Sequence, residues 1–427
     1  MGLMAGLPQV IEEAKKEYEN VEDLSFILAE EFGKAENLLA LGDNAGFMKH
    51  LVDSGMEGKI RQIYIDPPFF SKANYDAVIK LRSPEGETAV KHRAYEDVWK
   101  EGMAEYLKML GTRLLLMRDL LSEDGTIWVH LDWHGVHYVK ILMDEIFGEK
   151  NFINEIIWTY KSGGSSKKHF ARKHDTILVY SKSDKYYLNL PKEKSYNRGL
   201  KPYRFKGVEE FQDETGWYTM VNMKDVWSMD MVGRTSAERT GYATQKPEAL
   251  LERIIRAGSC EGDICADFFC GSGTLAAAAG KLERRWICCD NGTLAVAAAM
   301  KRLGKQGEEM KILRCDSVQP DDLKVLAYYT PTLFNDRIKI TVELKEQNIK
   351  APVDLWGVDT DYDGEVFRSE REATAYRDKK GLCTEISIEI PCDRASKRRI
   401  AVRAVDILGN ISYAVIDGGK IFEQGRE

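Results

Sequence analysis

The chain has 427 residues, 44% hydrophobic and 30% charged, with a formal net charge of −7. That length and apolar content can bury a sizeable core over two or three domains, while the charge content argues against a membrane protein. No run of 18 apolar residues and no leader pattern at Met1-Gly2-Leu3 is found, and the eight cysteines form no C-x-x-C pair, so a reducing cytoplasm without structural zinc is expected.

Residues 1–30 read as an acidic, amphipathic helical lead-in. Ile63-Tyr64-Ile65 reads as a buried parallel strand. Asp66-Pro67-Pro68-Phe69 then stops it, because neither proline has an N–H and both fix φ. The resulting turn is rich in acceptors and poor in donors, beside an aromatic face. It suits a planar ring carrying an exocyclic amine. On their own, the four residues serve equally well as a surface turn with a capping Asp. Ser71 to Val98 is polar, contains Ser83-Pro84-Glu85-Gly86, and reads as a loop or lid.

A helix is predicted over Met103–Leu121, a buried strand over Ile127–Leu131, and a helix over Val136–Phe147 closed by Gly148. His130, His134 and His137 with Asp132 resemble a metal cluster, but they straddle a strand end and a helix start, so no metal is expected. Strands over Glu155–Tyr160 and Thr176–Tyr180 flank a loop beginning Lys161-Ser162-Gly163-Gly164. Between Trp158 and Lys206 thirteen basic residues, among them Lys161, Lys167, Lys168, Arg172 and Lys173, stand against three acidic ones. Interleaved aromatics include Phe170, Tyr196 and Tyr203. Such a patch in an acidic chain is the footprint of phosphate binding, with bases stacked on the aromatics. The alternative is a solvated loop face. From 182 to 240 periodicity is poor.

Residues 246–315 return to a clear α/β pattern. A strand ending at Asp267 leads through Phe268-Phe269-Cys270-Gly271-Ser272-Gly273-Thr274 into an Ala-rich helix. Glycines at a strand-to-helix turn admit a ligand close to the backbone, and the helix start offers free N–H groups. The next strand ends in Asp290, at the spacing where a carboxylate takes ribose hydroxyls. Gly-x-Gly-Thr fits one nucleoside-like ligand better than a dinucleotide. The alternative is a glycine turn needed only for helix–sheet packing. The last 95 residues alternate in strand fashion over Ile338–Leu344, Thr384–Ile390, Arg399–Asp406 and Ile411–Ile416, predicting a small antiparallel sheet or sandwich. Asp359 to Glu370 has the spacing of an EF-hand loop in a strand-like context, where an acidic hairpin turn is the expected reading.

Together the Asp66–Phe69 and Asp267–Thr274 motifs resemble the amino-methyltransferases of DNA, and their order resembles the beta group of that family. Leu41-Gly42-Asp43-Asn44, Leu121 to Val129 and Thr244-Gln245-Lys246-Pro247 are similar to further elements of the group, so the resemblance covers roughly residues 30 to 315, departing at Cys270 and Leu275. The C-terminal region is similar to the tail of type III restriction modification subunits. The resemblance implies an α/β fold with a Rossmann-like, mostly parallel sheet of the S-adenosylmethionine-dependent methyltransferase type. It divides the chain into a helical lead-in (1–30), a catalytic half (31–158), a target-recognition insertion (159–240), a cofactor half (241–325) and a β-rich C-terminal module (335–427).

It also implies methyl transfer from S-adenosyl-L-methionine to N6 of a flipped adenine in double-stranded DNA. Asp66, Pro67, Pro68 and Phe69 would be catalytic. Asp43, Thr244, Lys246, Asp267, Phe268, Gly271, Ser272, Gly273, Thr274 and Asp290 would bind the cofactor, with Lys246 and Thr244 at its methionine end. A restriction nuclease subunit and a second copy of the chain are candidate partners. Cytosine-N4 methylation, methylation of RNA or of a protein glutamine, and a non-catalytic DNA-binding role are the rivals. An intact Asp66 and Gly271-Ser272-Gly273 argue against the last.

Overall fold

The computed structural model describes residues 3–34, 36–83, 86–161, 166–233, 235–317, 320–334, 336–345, 351–374, 383–395 and 399–424. The first strands are β1 (Phe26–Phe32), β2 (Leu38–Leu41), β3 (Ile60–Ile65), β4 (Asn74–Ser83) and β5 (Gly86–Glu96). Next come β6 (Leu121–Leu131), β7 (Phe152–Thr159), β8 (His174–Ser181), β9 (Lys192–Tyr196), β10 (Phe211–Gln212), β11 (Trp217–Asn222) and β12 (Val226–Ser228). The cofactor-motif half adds β13 (Ile264–Asp267), β14 (Arg285–Asp290) and β15 (Met310–Cys315). The principal helices are α1 (Leu3–Glu19), α2 (Asn44–Leu51), α3 (Met103–Leu120), α4 (Val136–Phe147), α5 (Glu248–Gly258), α6 (Thr274–Lys281) and α7 (Thr293–Gln306).

Ten strands form one sheet in the order β1-β15-β2-β14-β13-β3-β6-β8-β7-β12. From β15 to β6 every pairing is parallel. The chain leaves β3 through α3 toward β6, and leaves β13 through α6 toward β14 on the opposite side. β3 and β13 are therefore neighbours at the point where the winding reverses, with Cys265 opposite Gln62 and Ala266 opposite Ile63. Ligands of open α/β sheets bind in the crevice beyond the carboxyl ends of such strands. Apolar residues of α1 to α4 pack on one face of the sheet, and those of α5 to α7 on the other. Both faces are covered, which is why the central strands read as continuous apolar runs.

Three expectations need revision. Phe26–Phe32, read as part of a helical lead-in, is a strand antiparallel to β15. Residues 71–98, read as a loop, are mostly the hairpin β4–β5, with Pro84 and Glu85 outside the described residues. Within the segment read as an insertion, β8 and β12 are strands of the central sheet, and only β10-β11-β9 forms a separate small sheet. Ser162 to Ser165 lie outside the described residues.

The C-terminal region builds a five-stranded and a three-stranded sheet around one core containing Ile340, Val342, Trp356, Val358, Ile400 and Val402. It packs onto the central sheet. Phe367 bridges to Glu30 in parallel register, Arg368 pairs with Glu31 at 2.9 Å, and Lys301 of α7 pairs with Asp354 at 2.7 Å through Oδ2. Buried Arg403 pairs with buried Glu30, whose other oxygen accepts from the Tyr413 hydroxyl at 2.8 Å. In the Asp359–Glu370 loop two carboxylates are taken up by the protein's own donors. Asp359 accepts from the N–H groups of Asp361 and Arg368, and Asp363 accepts from those of Glu365 and Val366 and from the Arg368 guanidinium.

Candidate active site

β3 delivers Asp66 and β13 delivers Asp267 to one cavity of about 500 Å³. The turn after β3 keeps its acceptors forward because its donors are used behind it. Pro67 and Pro68 have no N–H. The next three N–H groups, of Phe69, Phe70 and Ser71, all point at the buried carboxylate of Asp97, at 2.6–3.1 Å. The Ser71 hydroxyl and the Trp99 indole N–H add two more donors at 2.7 and 2.9 Å. Phe70 and Lys72 take left-handed backbone angles (φ 65° and 57°), a strained path that this carboxylate holds.

Asp66 is divided between two tasks. One carboxylate oxygen is ion-paired with the Lys246 ammonium. The other, Oδ1, is buried and meets no hydrogen-bond donor among the described residues. A buried acceptor without a partner is costly, so a donor-bearing ligand is the natural complement. Phe69 lies beside it, with Lys246 Nζ 5.3 Å from its ring centroid. Behind Phe69 stands buried His130, stacked at 5.9 Å and 21°. His130 is fixed by Tyr64 Oη at 2.9 Å and by Asp175 Oδ2 at 3.2 Å.

The second half of the cavity comes from the turn after β13. Gly271 has φ 50° and faces Tyr242, whose ring would lie 3.2 Å from an added Cβ. Gly273 has φ 71°, and its Cβ would meet Ala299 of α7 at 2.9 Å. Gly271 thus keeps the cavity wall thin, while Gly273 serves helix packing. Asp290 accepts from the Gly271 and Gly292 N–H groups, both at 2.9 Å, so it shapes this turn as well as lining the cavity. Asp267 accepts from the Phe269 N–H at 2.9 Å. Burial pushes the carboxyl groups of Asp267 and Asp290 above the usual range.

Asp43 caps α2, accepting from the Ala45 and Gly46 N–H groups, and its other oxygen takes Arg113 Nη2 at 2.7 Å. The same guanidinium donates to Asn44, whose amide donates to the Phe268 carbonyl at 2.7 Å. Phe268 is buried beneath the cavity wall. Buried Thr274 donates to the Lys246 carbonyl and accepts from Arg302, tying the glycine turn to the strap carrying Lys246. Ser272 is buried in the turn, its carbonyl 3.4 Å from Arg302 Nη1. Thr244 sits at the exposed rim with φ 58°, and its hydroxyl is 3.4 Å from Tyr95 Oη of the β4–β5 hairpin.

All the residues read as catalytic or cofactor-binding therefore lie in or around one crevice. Lys246 differs from expectation in its partner, since it grips Asp66 itself. The basic residues Lys161, Lys167, Lys168 and Arg172 are exposed and Lys173 is partly buried. They belong to the connection between β7 and β8, which projects from the same edge of the sheet. Sequence reasoning missed Asp97, Arg113 and Asp175. Each is an ordinary charged residue locally, and only the fold brings it to the site. Among the described residues, no group of three His, Cys, Asp or Glu side chains is placed to hold a metal. No helix among them is long and apolar enough to cross a membrane.

The donors and acceptors present fit S-adenosyl-L-methionine. Asp290 and the thin wall at Gly271 suit its nucleoside, and Asp267 adds a carboxyl to the same cavity.

Residues 60–301 match the family described as DNA methylase. The type II methyltransferase M.EcaI of Enterobacter cloacae is 31% identical over 326 residues, covering 62% of this chain and 69% of that one. The Mod subunit of the type III restriction-modification enzyme EcoP15I of Escherichia coli is 28% identical over 173 residues, 38% of this chain and 27% of that one. The DNA adenine methyltransferase YhdJ of Escherichia coli (strain K12) is 24% identical over 279 residues, 64% of this chain and 84% of that one. The family match takes in Asp66, Lys246, the glycine turn and Asp290, and spans more than half of the sequence: the chain belongs to the DNA methylase family, with S-adenosyl-L-methionine as its cofactor.

Proposed function

We propose that this enzyme methylates N6 of an adenine flipped out of double-stranded DNA at a defined sequence, as the modification activity of a restriction–modification system. The buried, unpartnered Oδ1 of Asp66 carries the reading. It is an acceptor waiting for an N–H, at the end of a turn whose own donors are all turned away.

The sulfonium supplies an electrophilic methyl group, so the protein's task is to place a weak nucleophile. Asp66 Oδ1 and the Pro67 carbonyl would accept the two amine hydrogens. That draws the nitrogen lone pair out of the ring plane and toward the methyl. Lys246 fixes the other Asp66 oxygen, so the carboxylate cannot rotate away. Phe69, backed by His130, stacks on the base. Methyl transfer would leave a positive charge on the amine nitrogen, and the proton it then sheds would pass by way of Asp66 Oδ1 to solvent. Positioning of this kind is worth ~7–11 kcal/mol of barrier. Flipping the base costs a few kcal/mol, which contacts along the duplex must offset.

Adenine is favoured over cytosine by the Asp at position 66, since cytosine members resembling this family more often carry Ser there. The name of YhdJ as an adenine enzyme supports the same choice. A restriction subunit as partner is supported by the likeness to the Mod subunit. The residues Asp43, Asp267 and Asp290 would hold the cofactor, with Lys161, Lys167, Lys168, Arg172 and Lys173 on the DNA phosphates. The test is expression in a host without endogenous modification, followed by nucleoside mass spectrometry of its DNA. N6-methyladenine is expected. N4-methylcytosine would overturn the choice of base, and unmodified DNA would overturn the function.

A further inference from the structure

β8 runs antiparallel to β6, with Thr176 opposite Leu131, so its first residues lie at the carboxyl edge where Asp66 also sits. The connection from β7 reaches out from that edge and returns through Lys173, whose carbonyl accepts from the Tyr160 N–H at 3.0 Å. Near its end stands Phe170, with 98% of its surface exposed. A phenyl ring wholly in water, flanked by Lys167, Lys168, Arg172 and Lys173, gains nothing from the fold itself.

Two contacts tie this loop to the surroundings of the catalytic turn. Arg172 lies over the Trp133 ring, its guanidinium carbon 3.8 Å from the centroid. Trp133 belongs to the short connection between β6 and α4, is itself 43% exposed, and has His134 on it at 3.7 Å. His134 is locked by Asp132, which accepts from its N–H and faces its ring at 2.7 Å. The next residue, Gly135, is so close to the catalytic turn that an added Cβ would lie 3.4 Å from the Phe69 carbonyl oxygen. The second contact is Asp175, which joins the foot of the loop to His130 behind Phe69 and takes the Tyr160 hydroxyl at 3.0 Å.

We propose that the 166–173 loop is a wedge, in which Phe170 enters the base stack beside the extruded adenine while Arg172 stacked on Trp133 sets its distance from Asp66. The proposal rests on the DNA-methylating function above and adds how the base is brought out. An apolar side chain inserted at a base step partly unstacks it, and the flanking cations take the adjoining phosphates. The Trp133–Arg172 contact would let insertion and capture happen in register.

The experiment uses the full chain and a 30-base-pair duplex containing the sequence found methylated in host DNA, with 2-aminopurine at the target position. Fluorescence reports extrusion, and labelled cofactor reports transfer from the unsubstituted duplex. Phe170→Ala should lower both fluorescence gain and kcat by about tenfold or more, because the unstacking cost is no longer offset. The KM for S-adenosylmethionine should not move. A duplex with the target base mismatched has that cost already met, so on it the variant should return to within about threefold of the parent. Arg172→Ala and Trp133→Ala should each weaken extrusion, and the double variant should be no worse than Arg172→Ala alone. A Phe170→Ala protein equal to the parent on the matched duplex overturns the wedge alone. A loss equal on matched and mismatched duplexes also overturns it. A parent protein that leaves the duplex unmethylated overturns the function and the wedge with it.

Discussion

Lys246 and Asp66, separated by 180 residues in sequence, form a largely buried ion pair at the junction of the two halves of the crevice. The pair joins the strap leading into the cofactor half to the catalytic turn. It also selects which Asp66 oxygen stays available. The site is thus assembled by a charge contact between segments that belong to different halves of the sheet.

Asp66→Ala should abolish methyl transfer and leave cofactor affinity within several-fold of the parent, because the glycine turn, Asp267 and Asp290 line the rest of the cavity independently. Radiolabel transfer and titration calorimetry measure the two quantities. Turnover near that of the parent would remove Asp66 from the chemistry.

Asp97→Asn should separate kcat from cofactor binding. The amide would present N–H groups to a cluster of five donors, so the turn loses charge-assisted bonds worth about 1.5–3 kcal/mol each. A displacement of the turn by about 1 Å would lower kcat by about a hundredfold. Cofactor affinity should change little. Steady-state kinetics with calorimetry decides it, and an unchanged kcat would reduce Asp97 to a structural cap.

Arg403→Met should be strongly destabilising, because it leaves the Glu30 carboxylate buried without its cation. Breaking such a pair from one side costs about 3–5 kcal/mol. Adding Glu30→Leu should restore much of the loss. Urea denaturation measures both. A single variant as stable as the parent would mean that the pair contributes nothing to docking of the C-terminal module.

The basic connection between β7 and β8 should carry salt-dependent DNA affinity. Each phosphate contact contributes about −0.9 to the slope of log K against log salt. Replacing Lys167, Lys168, Arg172 and Lys173 with Ser should flatten that slope by a few units and leave thermal stability nearly unchanged. Titration of a labelled duplex at several salt concentrations reads the slope. An unaltered slope would move the phosphate contacts to another surface, such as the β4–β5 hairpin.

What could be read from the sequence was what is written locally. Two prolines after an apolar run end a strand, and a glycine turn between strand and helix makes a cradle, so β3, β13 and their turns were legible with Asp66, Gly271 and Asp290. Long-range charge was not. Glu30 lies in an acidic stretch that looks solvent-facing, yet it is buried because Arg403 reaches it from 373 residues away. Without that partner nothing marks Phe26–Phe32 as a strand. The hairpin β4–β5 was hidden by its polarity and by Ser83-Pro84-Glu85-Gly86, which marks a turn but does not say that the arms on either side pair. Asp97 and Arg113 act by reaching across the fold, and no motif announces them.

The Glu30–Arg403 pair also bears on how the molecule comes into being. β1 leaves the ribosome well before its partner strand β15, which follows nearly 300 residues later, and its counter-ion comes later still. Until then the nascent chain carries an uncompensated carboxylate on an unpaired strand edge, a state open to wrong pairing. Completion of the central sheet therefore waits for segments far downstream of β1. A chain stopped before Arg403 would hold every residue of the crevice and still lack the ion that lets its first strand settle.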